Sequence, residues 1–509
     1  MIYNIGKKIM YAYNVINIVM KVENLIIVGG GTSAWLTAAY LYKNQPDIQI
    51  TIVDKEIGTP IGVGEATLLT FRQFMEECGF DFDDWFVNLD GGYKSGIVFS
   101  NWREPGDDIW HPFWKGNRIV NDDLRLWELW STVQDHFNFK KYATGMHDSS
   151  IVHNTVDYNN IDAYASHIDA GKLVLFIKEK LKNKINFINS DVVEIVRKEN
   201  NDIDYLILKN ETSVKADLYV DCTGFKSILR NNVEKIDLAG RLFVNTAVVC
   251  PVPYNNRTTE FKCYADCEAV DHGWIWKIGT SSRIGSGMVF NRDITDIDEA
   301  KKYFVNHWNN RIKVEDVRAI NWDPFYNKNP WSGNTVCIGL SHGFIEPLES
   351  TGIGLITIGI TQLNNILQHR WFDNEASQQF NIFMSTLFEN CIDFVSMHYA
   401  NNKRNSEFWS WVTKTFQPSL IMKHYVDELA NPNIRVPFKG RFDHMFGGGN
   451  WTMVLAQLGF SIGRRNISIP EDVALNKIAS MYIEHEKNRH VWSRPHALEV
   501  DRIRELRKL

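Results

Sequence analysis

"ENLIIVGGGTSAWLTAAYLYKN", residues 23–44, decides the fold of this 509-residue chain. Glu23–Val28 is a short apolar run that stops at three glycines, and "TSAWLTAAYLYKN" after it reads as a helix. "IQITIVD", residues 48–54, reads as a second buried strand. Strand, glycine turn, helix and strand make a β-α-β unit, the opening of a doubly wound α/β sheet. Gly29, Gly31 and Ala34 form a G-x-G-x-x-A arrangement, with Thr32 and Ser33 inside the same turn. Glycines there let the backbone approach a pyrophosphate, and the free N–H groups of the helix start favour an anion. Asp54 ends the second strand, where an acid accepts bonds from ribose hydroxyls.

Only one such fingerprint is present, which points to FAD with no separate nicotinamide domain. Two further turns fit an FAD protein. "YVDCTGFKS" (219–227) ends a strand in a Thr-Gly turn, and "GLSHGFIEPLESTGIG" (339–354) places Gly339 after an apolar strand and a helix start at Ser350.

Working outward, the net charge of -6 comes from 55 basic and 61 acidic residues spread along the chain, which argues against a nucleic-acid partner. Seven cysteines without a disulfide framework suit a reducing, cytoplasmic compartment. No metal site is expected: Cys263 and Cys267 lack a second pair, and "HEKNRH" (485–490) puts its histidines off a common helix face. The uncharged stretches 25–42 and 350–368 are broken by glycines or carry polar residues, so neither is expected to span a membrane. A helix is expected over 160–185, strands over 186–220 and 240–325, and helices over 370–430 and 465–509. The organisation expected is an N-terminal extension 1–20, an FAD-binding core 21–368 with inserted β-rich segments, and a mainly helical substrate lobe 369–509.

"GGYKSGIVFSNW" (91–102) holds one lysine, Lys94, which by alternation alone is a solvated strand position. Together with other stretches it carries a resemblance along most of residues 23–465. "GVGEAT" (62–67), "YASHIDAG" (164–171), "DCTGF" (221–225), "EPLESTGI" (346–353), "HYANNKRNSEFW" (398–409) and "GNWTMVLAQLG" (449–459) resemble segments of the flavin-dependent halogenases of the tryptophan-halogenase family. "WIWKIG" (274–279) is similar to that family's W-x-W-x-I-P motif, with Gly279 where proline is usual.

The resemblance implies a glutathione-reductase-type FAD box with a helical substrate lobe. It implies that reduced FAD from a separate NAD(P)H-dependent flavin reductase, dioxygen and a halide yield hypohalous acid. That oxidant would pass to an electron-rich aromatic small molecule. By the same resemblance Lys94 and Glu349 are catalytic, and Gly64, Glu65, Ala66 and Thr67 contact the flavin. Thr351 and Gly352 hold the halide on backbone N–H groups, while Trp274 and Trp276 shield the flavin. Bromide or iodide is slightly favoured over chloride, being more easily oxidised. Glu349 by itself also reads as an acid at a helix start. His167 and Asp169 read as structural. Trp409, Trp411, Trp451 and Phe446 could sandwich a ring, and a homodimer is the default assembly. The alternatives are an FAD-dependent aromatic monooxygenase and a non-catalytic FAD-binding protein.

Overall fold

This computed structural model describes residues 20–507, apart from 56–63, 114–118, 122–123, 126–132, 134–145, 231–233, 369–370, 432–444, 462 and 464–469. Residues 1–19 of the expected extension, Gly62 and Val63 of the 62–67 stretch, and the side chains of His485 and His490 lie outside the described residues.

Strand Asn24–Val28, helix Thr32–Asn44 and strand Gln49–Asp54 form the expected β-α-β unit, the two strands pairing in parallel. The sheet continues in the order Asn186–Asn189, Gln49–Asp54, Asn24–Val28, Leu218–Asp221 and Thr335–Cys337, closed by the antiparallel Trp331–Ser332. The helix buries Ala34, Trp35, Leu36, Ala38, Ala39 and Leu41, so its near-continuous apolar sequence reflects packing on most of its surface.

The three glycines do three different jobs. Gly29 has φ +120°, and a Cβ there would overlap the Cys222 carbonyl oxygen. At Gly30 a Cβ would overlap the Asp54 carboxylate. At Gly31 it would meet nothing within 4 Å. The first two glycines build the turn, and the third leaves a cradle open.

A second, seven-stranded sheet covers the site. Its order is Arg318–Asn321, Thr246–Val252, Ile284–Phe290, Gly273–Gly279, Ala265–Val270, Gly96–Ser100 and Ile109–Pro112. Between the sheets, Ala165–Ile168 pairs on one side with Glu65–Ala66 and on the other with Gly92–Lys94.

That strand corrects the expected helix over 160–185. Two flanking strands claim the backbone of residues 165–168, and the helix proper is Ala170–Leu181. Asp169 sets the boundary by accepting from the N–H groups of Gly171 and Lys172. His167 is buried and donates from Nδ1 to the Gly279 carbonyl. Both residues serve structure.

The C-terminal part is helical, in Asn374–Met397, Glu407–Thr415, Leu420–Ala430, Gly448–Gln457, Glu471–Trp492 and His496–Leu506. The chain then returns to the strand that carries Lys94: Ser493–Pro495 pairs with Thr155–Asp157, and His496 Nε2 accepts from the Tyr93 N–H at 2.9 Å. One apolar cluster runs from Val22 to Ile503. All seven cysteines are free and buried. Among the described residues no helix is long and apolar enough to cross a membrane, and no group of side chains is arranged to hold a metal. The uncharged stretch 350–368 is the helix Thr351–Leu367, packed against Thr32–Asn44 and Asn374–Met397.

The glycine turn yields a test by thermal denaturation. Gly29→Ala forces an L-residue into positive φ against a backbone oxygen, and should cost more than about 3 kcal/mol or prevent folding. Gly31→Val, which projects into open space, should leave the melting temperature within a few degrees of wild type and instead abolish dinucleotide binding.

Candidate functional site

Two cavities meet beneath the second sheet. The first, of about 390 Å³, is lined by Gly31, Thr32 and Ser33 at the glycine turn, by Gly64, Glu65 and Ala66, and by Trp274, Trp276, Glu346 and Gly352. The second, of about 500 Å³, is lined by Lys94, His111, Phe113, Thr357, Phe446 and Asn450 among others. Ile97 and Glu349 line both.

Lys94 is fully buried, so the solvated-strand reading of that lysine is overturned. It ends strand Gly92–Lys94, where pairing with Ala165 covers one side and the second cavity lies on the other. Its Nζ donates to the Thr67 carbonyl at 2.9 Å and to Ser350 Oγ at 3.0 Å, and sits 5.5 Å from the Phe113 ring centre. An ammonium has three N–H donors, so one remains for a ligand. Burial pushes the group down to about 8, a fall that the Glu349 carboxylate partly opposes.

Glu349 lies just before the helix Thr351–Leu367. Its φ of 66° and the φ of 59° at Ser350 put two successive non-glycine residues in the left-handed region. Each costs about 1–2 kcal/mol. That kink turns the carboxylate inward: His111 Nδ1 lies 2.8 Å from both of its oxygens, and His398 Nε2 lies 2.8 Å from Oε1. Burial alone would raise its pKa, but the two imidazoles outweigh that and hold the carboxyl down to about 2. Glu349 is therefore a carboxylate.

The protonation of His111 follows from its neighbours. Asn450 Oδ1 accepts from the Gly447 N–H at 3.1 Å, which points its amide NH₂ at His111 Nε2, 2.9 Å away. With His111 Nε2 turned to that amide, Nδ1–H faces Glu349. His398 Nδ1 donates to the Phe394 carbonyl at 2.8 Å.

The other expected site residues divide by position. Gly29, Ala34 and Asp54 line neither cavity: Gly29 is part of the turn, Ala34 is buried in the helix, and the Asp54 carboxylate packs where a Gly30 side chain would be. Burial raises the Asp54 carboxyl to about 6 despite nearby Lys178. Glu65 is raised to about 7, also by burial. Thr67 does not line the first cavity. It is pinned to Ser166 by its N–H and hydroxyl, and offers its carbonyl to Lys94. Gly339, at φ +83°, packs on Ser33. Thr351 is buried, and a Cβ at Gly352 would meet nothing within 4 Å.

Trp274 and Trp276 stand side by side, ring centres 6.3 Å apart, and Trp276 fills the space that Gly287 leaves by lacking a side chain. Of the four C-terminal aromatics, Phe446 faces the second cavity, stacked on Phe394 at 4.0 Å. Trp409 donates to the Val270 carbonyl, Trp451 stacks on Tyr425, and Trp411 packs against Phe243, so those three belong to the core.

Sequence reasoning missed the roles of His111, His398, Asn450, Ser350 and Glu346. The segments "HYANNKRNSEFW" and "GNWTMVLAQLG" contain His398 and Asn450, but no spacing ties either to Glu349. Their approach is purely tertiary.

With this geometry in hand, comparisons with known proteins are specific. The family model described as tryptophan halogenase matches residues 24–466. Tryptophan 6-halogenase ThaL of Streptomyces albogriseolus is 29% identical, over 86% of this chain and 90% of that protein. Tryptophan 7-halogenase RebH of Lentzea aerocolonigenes is 27% identical over the same shares. The solved structure of Xcc4156, a flavin-dependent halogenase from Xanthomonas campestris, superposes with a TM-score of 0.87, covering 95% of this chain and 98% of that one at 24% identity. That last likeness concerns the fold.

Lys94 also carries a stability signature. Its pKa is lower folded than unfolded, so the unfolded chain holds the proton more tightly, and stability rises with pH between about 8 and 10.5. Lys94→Met should therefore stabilise the protein by about 3 kcal/mol at pH 7, an advantage that shrinks below about 1 kcal/mol at pH 10. Denaturant titration of both proteins at the two pH values measures it, and a pH-independent difference would contradict the buried-amine account.

Proposed function

The chain belongs to the tryptophan halogenase family and is an FAD-dependent halogenase; from that premise we propose how its two cavities divide the work. Reduced FAD from a separate NAD(P)H-dependent flavin reductase occupies the first cavity. The substrate, an electron-rich aromatic small molecule, occupies the second. The observation that carries this reading is the shared wall: Glu349 and Ile97 border both cavities, and the buried amine of Lys94 opens on the second.

The first cavity suits FAD on its own residues. The open side-chain position at Gly31, at the start of helix Thr32–Asn44, is a cradle that a larger residue would fill, and helix-start N–H groups there favour a pyrophosphate. Asp54 stands at the strand end for the ribose. Reduced FAD held there would supply two of the four electrons that dioxygen takes up, the halide giving the other two as it becomes hypohalous acid.

The protein's own groups do the rest. The N–H groups of Thr351 and Gly352, at the start of a 17-residue helix, hold the halide, with little side-chain bulk beside them. Bromide and iodide are favoured over chloride because they are oxidised more readily. Trp274 and Trp276 keep the aromatic substrate away from the flavin, so that halogen transfer wins over direct oxygen transfer. Hypohalous acid crosses at Ile97 and Glu349 and meets Lys94. There the free N–H of the ammonium bonds its oxygen and leaves the halogen more electrophilic.

The aromatic carbon takes the halogen, the hydroxide of hypohalous acid leaves as water by taking a proton from the Lys94 ammonium, and the ring proton passes to Glu349, a carboxylate ready to accept it, so that one proton is given and one recovered. His111, fixed by Asn450, orients that carboxylate. Seven free, buried cysteines support a reducing, cytoplasmic setting. A buried lysine serves no purpose in a non-catalytic flavin carrier, where its desolvation would only cost stability.

The test supplies FAD, a flavin reductase with NADH, air, one halide at a time and a panel of phenols, indoles and anilines, with product masses as the readout. Halide-dependent products are expected. Lys94→Ala should abolish them while FAD binding and dioxygen consumption persist, and Glu349→Gln should slow them by about 10²–10⁴-fold. Oxygenated products formed without halide would replace this reading with a monooxygenase.

A further inference from the structure

Glu346 lines the first cavity, yet the route above gives it no task. It is fully buried, three residues before Glu349, and its surroundings are the opposite of those around Glu349. Oε1 accepts from the Tyr399 hydroxyl at 2.7 Å, and that hydroxyl accepts from Trp274 Nε1 at 3.0 Å. This chain fixes the plane of the carboxyl. Oε2 has no hydrogen-bond partner among the described residues. The neighbouring wall is apolar, made by Ala247, Val249, Trp276 and Ile278.

A buried polar oxygen left unpaired is a cost that an acceptor or donor on a ligand would remove. Because Oε1 is occupied by a donor, a proton on this carboxyl sits on Oε2. Burial pushes Glu346 up to about 8, and the Tyr399 hydroxyl bond and the nearby Trp274 N–H offset this only in part. The carboxyl is thus an acid at neutral pH, a donor without an acceptor.

We propose that Glu346 is a flavin-binding residue that selects the reduced form, its Oε2–H donating to the negatively charged ring of reduced FAD. The proposal rests on FAD occupying the first cavity. Oxidised flavin is uncharged in its ring and reduced flavin is anionic near neutral pH, so one neutral acid in an apolar wall discriminates between them. Such selection is useful to an enzyme that must capture reduced FAD arriving from another protein while oxidised FAD is also present.

Of the other titratable groups around Glu346, Glu65 lines the same cavity, is raised by burial to about 7 and shares this pH range, and a Glu346→Gln variant retains it. Tyr399 and Cys267 are both pushed up by burial and stay protonated. Glu349 stays ionised, held down by His111 and His398. Lys94, beyond Cys267, titrates near the same pH, and the flavin ring has its own titration; a Glu346→Gln variant retains both.

The experiment is an equilibrium titration of the full-length protein with oxidised FAD in air and with reduced FAD under anaerobic conditions, at about pH 6.5 and about pH 9.5. Wild type should prefer reduced FAD by about tenfold or more at the lower pH, the factor one charge-assisted hydrogen bond supplies. That preference should fall at the higher pH, as Glu346 ionises and repels the anion. Glu346→Gln, which keeps a donor but cannot ionise, should hold the preference at both pH values. Glu346→Leu should lose it at both while binding oxidised FAD within about threefold of wild type.

A Gln variant with the wild-type pH dependence, or a Leu variant that still prefers reduced FAD, overturns the proposal. The wild-type preference for reduced over oxidised FAD at the lower pH remains a test even if a variant does not fold. Wild type that binds oxidised FAD with no preference overturns the proposal alone; wild type that binds neither form overturns the FAD reading and this proposal with it.

Discussion

An ammonium group buried away from water has to be solvated by the protein, and Lys94 takes its two partners from places distant along the chain. One is the carbonyl of Thr67, held by strand Ala165–Ile168. The other is Ser350 Oγ, 256 residues away in sequence. Neither partner is charged and one N–H is left for a ligand, so the buried amine stays costly. The left-handed backbone at Glu349 and Ser350 is part of the same constraint. An ordinary helix entry would turn Ser350 into a helix cap; here its side chain makes no capping bond and serves Lys94 instead. Strain at the helix start and burial at the strand end thus support one another, a pattern typical of sites built for chemistry.

The loop Glu346–Ser350 also shows how one short segment presents two carboxyls in opposite states. Glu349 faces two imidazoles and is held down to about 2. Glu346 faces a phenol and an apolar wall and is raised to about 8. Pairs of acids whose surroundings drive their pKa values apart are how a fold assigns acid and base roles at one pH. Both acids border the first cavity, but of the two only the Glu349 carboxylate borders the second. Trp274 links the arrangement to the second sheet through Tyr399, so the tryptophan that walls the cavity also positions an acid.

Local patterns in the sequence reached the β-α-β unit, the glycine turn and its acid, because those depend on contacts between residues close along the chain. Gly29, Gly31 and Asp54 fall where the pattern places them. Residues 164–168 misled, since "YASH" carries no strand periodicity of its own and becomes a strand only because Glu65–Ala66 and Gly92–Lys94 flank it. Gly30 was passed over, although the Asp54 carboxylate packs where its side chain would be. The motif "EPLESTGI" named the right loop without revealing that its two glutamates differ.

By itself, then, the amino-acid sequence determined the doubly wound sheet, the dinucleotide turn and the resemblance from which Lys94 and Glu349 were picked out, all of them carried by short-range spacing or by contiguous motifs. Only the tertiary structure decided that Lys94 is buried, that His111, His398 and Asn450 converge on Glu349, and that two cavities share one wall. Those features arise from side chains hundreds of residues apart meeting in a water-excluded space. There, burial and the choice of neighbour set the charge of each group, and neither burial nor neighbours are properties of a residue's own stretch of sequence.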